Sequence, residues 1–174
     1  MSGLPASGKT TLGRTLAKLL NFKFIDKDET LEFLLSEQAN YTSELRQRLS
    51  RESDLIFREQ AMQGENAVLT SFWRAPNNQS TAGTPSDWLP SVSSDIIEIV
   101  CHCDIHIAVT RFLTRRRHPG HMDHLQDKST LRNQFESLLT SWPLGFGKII
   151  EVDTSMAVSA PMILNRVREF WPVI

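Results

Sequence analysis

The stretch SGLPASGKTT at residues 2–11 constrains the fold of this chain more than any other feature. It contains the pattern G-x-x-x-x-G-K-[ST], in which Gly3 and Gly8 are the glycines and Lys9 and Thr10 close the motif. Such a loop wraps around a polyphosphate with its backbone N–H groups pointing inward, and the following helix aims its N-terminus at the same charge. The pattern therefore predicts a phosphate-binding loop at the start of a helix in an α/β domain.

The motif also predicts which residues hold a nucleotide. We expect Lys9 to reach the β- and γ-phosphates as a catalytic cation, and the Thr10 hydroxyl to ligate the Mg²⁺ that accompanies the nucleotide. The predicted nucleotide-binding residues of the loop are Gly3, Pro5, Ala6, Ser7, Gly8, Lys9, Thr10 and Thr11.

Little chain stands before this loop. A phosphate loop normally follows a buried β-strand of about five or six residues, and Met1 and Ser2 are too few to form one. We therefore expect the first strand to be missing or truncated, with a native N-terminus upstream of Met1. A sheet that manages without that strand is the alternative.

The composition predicts one single domain that spans residues 1–174. The chain is 40% hydrophobic, and its 19 basic and 20 acidic residues give a net charge of −1, which argues against nucleic acid or an anionic membrane as a partner. No apolar run approaches the roughly 18 residues of a membrane-spanning helix, so we expect a cytoplasmic protein. Cys101 and Cys103 are interpreted as buried thiols in a reducing compartment.

Strands and helices alternate along the sequence, which predicts a parallel sheet covered by helices on both faces. The segment 76–94, rich in Ser, Thr, Pro and Asn, is predicted to be irregular. We predict helices over residues 9–20, 29–35, 43–63, 105–116, 129–140 and up to about 171, and strands over residues 22–26, 66–71, 95–104 and 148–153.

A phosphate loop does not by itself distinguish kinases, switches and motors. The chain lacks the Asn-Lys-x-Asp element with which GTPases recognise guanine, and the strand ending VLTSFWR lacks the carboxylate typical of motor ATPases. The compact kinase type remains, in which the second strand carries carboxylates to the acceptor and an arginine-bearing lid closes over the phosphates.

The N-terminal third resembles the shikimate kinases. The match covers GLPASGKTTLGRTLAKLLNFKFIDKDETLE and includes an Asp-x-Asp formed by Asp26 and Asp28. FREQ at residues 57–60 stands near the family's Phe-Arg-x-x-Glu, so the resemblance implies that Arg58 holds an acceptor carboxylate. Position 61 is Ala rather than Glu, and TSFWR at residues 70–74 replaces the family's Gly-Gly-Gly.

Two further resemblances concern the middle of the chain. TSFWR is similar to the gluconate kinases, and RHPGHMD is similar to kinase-like ATPases that include the kinase domain of phage polynucleotide kinase. By the latter resemblance Asp28 aligns with the general base, and the arginine that reads a substrate phosphate falls at Leu31, which argues against a nucleic-acid end. Together the resemblances imply a P-loop NTPase three-layer sandwich of the nucleoside/shikimate-kinase type that uses ATP.

Asp26 and Asp28 are the candidate acidic residues of the acceptor site. A phosphoryl acceptor needs a carboxylate that positions its hydroxyl and takes its proton, a role we give to Asp28, although it could instead cap a helix. Asp26 is a candidate for contacting the substrate and for holding a Mg²⁺-bound water, or it is a solvated strand end.

The predicted lid spans residues 111–128 and carries Arg111, Arg115, Arg116 and Arg117. We expect Arg111 and Arg115 to bind ATP phosphates, with Arg115 catalytic; the alternative is a set of cations at a helix C-terminus. A metal site formed by His118, His121, His124 and Asp123 fits no standard zinc spacing well.

Arg58 and Arg74 are candidates for binding an anionic acceptor, or they form surface salt bridges. Trp73 and Trp88 line the acceptor pocket or anchor the core.

These features favour an ATP- and Mg²⁺-dependent kinase that acts on a hydroxyl of a small polar metabolite. A polynucleotide-end or nucleoside kinase is one alternative, and an ATP-binding regulatory module is another. The expected partner is a small-molecule acceptor, with neither nucleic acid nor membrane, and the chain is expected to be a monomer or a homodimer.

Overall fold

The structure is a computed structural model that describes residues 1–64, 66–76, 78 and 80–171. Positions 77 and 79 of the predicted irregular segment, and positions 65 and 172–174 of the predicted single domain, lie outside the described residues. The strands are β1 (Ser2–Gly3), β2 (Lys23–Asp26), β3 (Ala67–Thr70), β4 (Trp73–Arg74), β5 (Thr84–Pro85), β6 (Ile97–His102) and β7 (Lys148–Asp153). The helices are α1 (Lys9–Leu20), α2 (Lys27–Ser36), α3 (Ser43–Ala61), α4 (Leu89–Val92), α5 (Ile105–Thr114), α6 (Lys128–Leu138) and α7 (Ala160–Phe170).

All strand pairings among the described residues are parallel, as the alternation of elements predicts. The pairs are β1 with β6, β6 with β7, β2 with β3, and β4 with β5. The amino group of Met1 donates a hydrogen bond of 2.8 Å to the Leu69 carbonyl and so links β1 to β3. The expected α/β fold with a parallel sheet is therefore confirmed.

The strand before the phosphate loop, expected to be missing or truncated, is present in a shortened form. Ser2 and Gly3 pair with Val100 and Cys101. Beside them an apolar cavity of about 370 Å³ lies between β3 and β6. The Trp73 indole N–H donates to the Met1 carbonyl at 2.9 Å at this end of the sheet.

The hydrophobic core consists of separate clusters that attach helices to strands. Leu12 and Leu16 of α1 pack with residues of β6, β7 and α7. Phe57 of α3 packs against Trp73 and Trp88, with ring centroids 5.5 and 6.1 Å away. Both tryptophans are buried, so they anchor the core, and neither lines the large cleft beside the phosphate loop in which an acceptor was expected.

Three sequence expectations differ from the structure. Helix α2 begins at Lys27 because the Asp26 side chain caps it, accepting the Asp28 N–H at 3.0 Å, so the interpretation of Asp28 as the cap is wrong. The strand predicted over residues 95–104 is limited to β6. The segment predicted to be irregular contains β5 and α4, since Trp88 holds it against the core.

Candidate active site

A cleft of about 1180 Å³ opens between the phosphate loop, α2, α3 and the segment after α5. Pockets for drug-sized ligands are usually about 300–1,000 Å³, so this cleft has room for a nucleotide together with a second small molecule. Parallel α/β folds bind ligands outside the carboxyl ends of their strands, and the ends of β2 and β3 border this cleft through Asp26 and Thr70.

The phosphate loop owes its shape to three residues with positive φ. Gly3, Ala6 and Gly8 have φ values of 127°, 59° and 92°. At Gly3 a Cβ atom would lie 2.3 Å from the Cys101 carbonyl oxygen, so only glycine allows the loop to pass this close to β6. Gly8 ends the loop and α1 begins at Lys9, which turns the helix N-terminus toward the cleft.

Most of the predicted loop residues reach the cleft, which is lined by Pro5, Ala6, Gly8, Lys9, Thr10 and Thr11. Gly3 and Ser7 do not line it. The Ser7 N–H donates to the Leu4 carbonyl at 3.2 Å, and the Ser7 side chain is fully buried behind the loop. These two residues therefore shape the cradle from behind.

Lys9 is held against its own loop. Its Nζ donates to the carbonyls of Gly3 and Leu4 at 3.0 and 2.7 Å. Burial lowers the pKa of the Lys9 ammonium to about 8, so it remains mostly charged at pH 7. A lysine ammonium has three donors, and the third is left for a ligand in the cleft.

Asp26 and Thr10 form a compact oxygen pair at the end of β2. The Thr10 hydroxyl donates to Asp26 Oδ2 at 3.0 Å. Asp26 is 5% exposed, which corrects the alternative of a solvated strand end. Burial, aided by the nearby charge of Asp28, raises the pKa of Asp26 to about 6.

Asp28 lines the same cleft two residues further along the chain and forms an ion pair with Arg117, with 2.7 Å between Asp28 Oδ2 and Arg117 Nη2. Burial by itself raises the pKa of Asp28, but the charge of Arg117, aided by those of Lys27 and Arg115, outweighs it and holds the pKa below its usual range. Asp28 is therefore ionised at neutral pH.

The predicted lid contains three differently engaged arginines and one outside the cleft. Arg115 bonds Asp123 Oδ2 at 2.9 Å and stacks over the Phe112 ring at 4.2 Å. Arg111, inside α5, donates to the Thr154 and Ser155 carbonyls at 2.8 and 3.0 Å.

These arginines line the cleft together with Arg117. Arg116 is exposed and does not line it. The connecting segment itself runs from residue 115 to 127 and contains two short 3-10 helices, Pro119–His121 and Asp123–Leu125.

Two of the three histidines of this segment, His118 and His121, make structural contacts. His121 Nε2 lies 2.9 Å from Glu32 Oε1 on α2, and burial lowers the pKa of His121 to about 4, so the ring is neutral at pH 7. His118 packs edge-on against Tyr41. Within the described ranges, no cluster of three or more His, Cys, Asp or Glu side chains suits a metal ion.

The two arginines predicted to bind an acceptor anion are not brought into the cleft. Arg58 is exposed on α3 outside the lining residues. Arg74 donates to the Ser80 carbonyl at 2.6 Å and is likewise absent from the lining.

A polar network that sequence reasoning missed lines the cleft instead of these arginines. Lys27 Nζ donates to Ser50 Oγ at 2.6 Å and lies 3.6 Å from Asp54 Oδ1, which accepts the Thr84 hydroxyl at 2.8 Å. The signal that could have found it is helical spacing, since Arg46, Ser50 and Asp54 recur every four residues along α3.

A family model described as shikimate kinase matches residues 5–72. Shikimate kinases from Corynebacterium jeikeium and Corynebacterium glutamicum are 40% and 36% identical over 67 residues, or 38% of this chain. The match spans only 36% and 40% of the length of these relatives.

Solved structures extend the likeness to the rest of the chain. A candidate kinase from Chloroflexus aurantiacus has a TM-score of 0.78 at 23% identity, with 97% of this chain and 96% of that chain covered. A shikimate kinase from Bacteroides thetaiotaomicron has a TM-score of 0.62 at 17% identity, with 99% and 96% covered. The fold is therefore that of the small P-loop kinases. Within that class, residues 5–72 resemble the shikimate kinases.

Within the described residues, no helix is both long and apolar enough to span a membrane.

Proposed function

We propose that this protein is an ATP-dependent kinase that transfers a γ-phosphoryl group to a hydroxyl of a small polar metabolite. The observation that carries the proposal is the presence, in one cleft, of a phosphate loop with Lys9 and Thr10 and of an ionised carboxylate, Asp28. The resemblance of residues 5–72 to shikimate kinases supports the same class of reaction.

The loop suits a triphosphate because its backbone curves around the cleft through Ala6 and Gly8 and leads directly into the N-terminus of α1. Unpaired N–H groups and the helix dipole favour negative charge there. The remaining N–H of the Lys9 ammonium would donate a hydrogen bond to the phosphate in transfer, and its positive charge would offset the negative charge there.

The residues at the end of β2 suit Mg²⁺, because the Thr10 hydroxyl and the Asp26 carboxylate are the hard oxygen donors that this ion prefers. Thr10 would bind the ion and Asp26 would hold it directly or through a water. Bound Mg²⁺ neutralises charge on the phosphate oxygens.

The proposed transfer is an in-line displacement at the γ-phosphorus. The acceptor hydroxyl oxygen forms a bond to the γ-phosphorus, the bond from that phosphorus to the β–γ bridging oxygen breaks, and ADP leaves with the bridging oxygen. The hydroxyl proton passes to the Asp28 carboxylate. Lys9 and Arg115 stabilise the negative charge on the oxygens in transit.

The lowered pKa of Asp28 determines how it acts. A carboxylate with a pKa below its usual range is a weak base, so Asp28 mainly orients the hydroxyl and accepts its proton late. Because Arg117 pairs with Asp28 Oδ2, the acceptor hydroxyl has either to use the other carboxylate oxygen or to displace Arg117.

The acceptor can be identified by measuring ATP consumption in the presence of each compound of a panel. Shikimate comes first because of the match over residues 5–72, and gluconate next because of TSFWR; nucleosides, aminoglycosides, neutral sugars and 5′-hydroxyl oligonucleotides complete the panel. We expect ADP release that depends on the acceptor for at least one of the small polar metabolites in the panel.

Asp28→Asn is the decisive variant. It removes the proton acceptor while the phosphate loop stays intact, so we expect transfer to fall by about 10²-fold or more with ATP affinity nearly unchanged. Asp87→Asn, an exposed residue outside the cleft, is the matched control and should retain full transfer. Tight ATP binding without acceptor-dependent turnover for any compound would favour the regulatory module instead.

A further inference from the structure

The acceptor side of the cleft, defined here by Lys27, Arg46, Ser50, Asp54 and Thr84, contains one charged side chain that has no partner among the described residues. The Lys27 ammonium is compensated by Asp54 at 3.6 Å and donates to Ser50. Asp54 in turn accepts the Thr84 hydroxyl. Lys27 and Asp54 therefore form a nearly neutral pair within the wall.

Arg46 is the exception. Its side chain lines the cleft and is half-buried, yet this side chain makes no ion pair and no hydrogen bond with any residue that the structure describes. Its Nε atom is fully buried and lacks a partner. Arg51 also lines the cleft, but it is exposed and water can satisfy its donors. A buried donor without a partner is costly, which points to a ligand group as the partner of Arg46.

Arg46 lies on the side of the cleft where Lys27, the neighbour of Asp28, contacts α3. Arg46 and Ser50 are one turn apart on the same face of α3, and Lys27, next to Asp28 in sequence, reaches that face through its bond to Ser50. The charge of Arg46 also contributes to lowering the pKa of Lys27, although burial contributes more, so the two cations are near each other. With Asp54 balancing only Lys27, one positive charge remains for an acceptor anion.

We infer that Arg46 binds a carboxylate of the acceptor while a hydroxyl of the same molecule meets Asp28, which makes the substrate a small hydroxy acid. The contact between the acceptor hydroxyl and Asp28 rests on the proposed function, whereas the contact between the acceptor carboxylate and Arg46 rests on Arg46 alone. The planar guanidinium is suited to the two oxygens of a carboxylate.

This assignment differs from the one implied by family resemblance. Arg58 lies twelve residues further along α3, or about 18 Å at 1.5 Å per residue, and its exposed side chain does not line the cleft. The chain would thus use an arginine near the other end of the same helix for the acceptor's carboxylate.

The first test is chemical footprinting of arginine, which does not require turnover. The protein with ADP and Mg²⁺ is treated with phenylglyoxal in the presence of shikimate, quinate or gluconate, or of their neutral counterparts methyl shikimate, methyl quinate and glucose. We expect at least one hydroxy acid, and none of the neutral compounds, to protect Arg46, as measured by mass spectrometry. Arg48, exposed on the same helix and outside the cleft, should be modified equally in all cases.

The second test compares Arg46→Gln, Arg46→Lys and the control Arg48→Gln with the protecting acid as acceptor. Loss of a charge-assisted hydrogen bond should raise KM for the acid about tenfold or more in Arg46→Gln, with partial recovery in Arg46→Lys and no change in Arg48→Gln. KM for the neutral counterpart should not change.

The outcomes separate the two proposals. Protection of Arg46 by a hydroxy acid without any phosphoryl transfer would support the anion site and count against the kinase. Transfer to an acceptor with no protection of Arg46 by any carboxylate would overturn the inference and leave the kinase standing. Protection by inorganic phosphate alone would also overturn the carboxylate assignment, in favour of a phosphorylated acceptor.

Discussion

Asp26 combines two structural bonds with a buried negative charge. Its Oδ1 caps α2 through the Asp28 N–H, and its Oδ2 accepts the Thr10 hydroxyl. These bonds favour the ionised form, but burial and the charge of Asp28 outweigh them and raise the pKa to about 6. At neutral pH the folded protein therefore carries a carboxylate that would be more stable in water.

Asp26→Asn should make the protein free of ligands more stable at pH 7.5. Each unit of pKa shift corresponds to about 1.4 kcal/mol, so removing the buried charge should raise the free energy of unfolding by about 3 kcal/mol, measured by urea denaturation. Asn keeps an oxygen that can cap α2. The same variant should lose most of its Mg²⁺-dependent activity.

The pH dependence of the stability difference between Asp26→Asn and the unmodified protein provides the control. The pKa of Asp26 is raised on folding, so its ionisation penalises the folded state fully above about pH 6, and the penalty disappears as the pH falls toward its ordinary value near pH 4. The stability gain of the variant should shrink over the same range. A gain that is equal at pH 4 and pH 7.5, or a loss at pH 7.5, would contradict the assignment.

At the scale of elements, the segment 115–127 is attached to one face of α2. Asp28 and Glu32 are one turn apart on that helix, and Arg117 pairs with Asp28 at 2.7 Å and with Glu32 at 3.7 Å. His121 adds a bond of 2.9 Å to Glu32. The segment that carries the lid arginines is thereby tied to the helix that carries the proposed base.

Glu32→Gln should loosen this attachment without altering Asp28. It weakens both the pair with Arg117 and the bond to His121, so amide hydrogen exchange in residues 116–125 should become several times faster, measured by mass spectrometry at pH 7. Glu37→Gln, an exposed position at the end of α2, is the matched control and should not alter that exchange. Unchanged exchange in Glu32→Gln would mean that other contacts hold the segment.

At the scale of the whole molecule, a nucleotide in the cleft would contact several parts of the chain that are distant in sequence. The cleft contacts the loop after β1, the start of α2, the middle of α3 and the segment after α5. Arg111 further ties α5 to the turn after β7 through the Thr154 and Ser155 carbonyls. A ligand in the cleft should therefore stabilise the domain as a unit.

ADP with Mg²⁺ should raise the melting temperature, because a ligand at 100 times its Kd adds about 2.7 kcal/mol to the stability of the folded state. Lys9→Ala should remove most of the shift, since this residue supplies the buried cation of the loop. Lys18→Ala, an exposed lysine at the end of α1, serves as the control and should keep the full shift. A shift that survives Lys9→Ala would mean that the nucleotide binds elsewhere.

The sequence by itself determined those features that depend on neighbouring residues. The phosphate loop, α1 and the Asp26–Asp28 pair could be predicted because glycine conformations, helix periodicity and the end of a strand are local properties. The parallel arrangement followed from the alternation of strands and helices.

The tertiary structure alone decided which side chains share the cleft. Arg46 and Arg58 are both arginines of α3, but the rotation of the helix against α2 brings the first to the cleft and leaves the second exposed. Trp73 and Trp88 became core residues because they pack against each other and against Phe57 in one buried cluster. Such choices depend on long-range packing, in which burial of apolar surface selects one helix face, and no local pattern of residues contains that information.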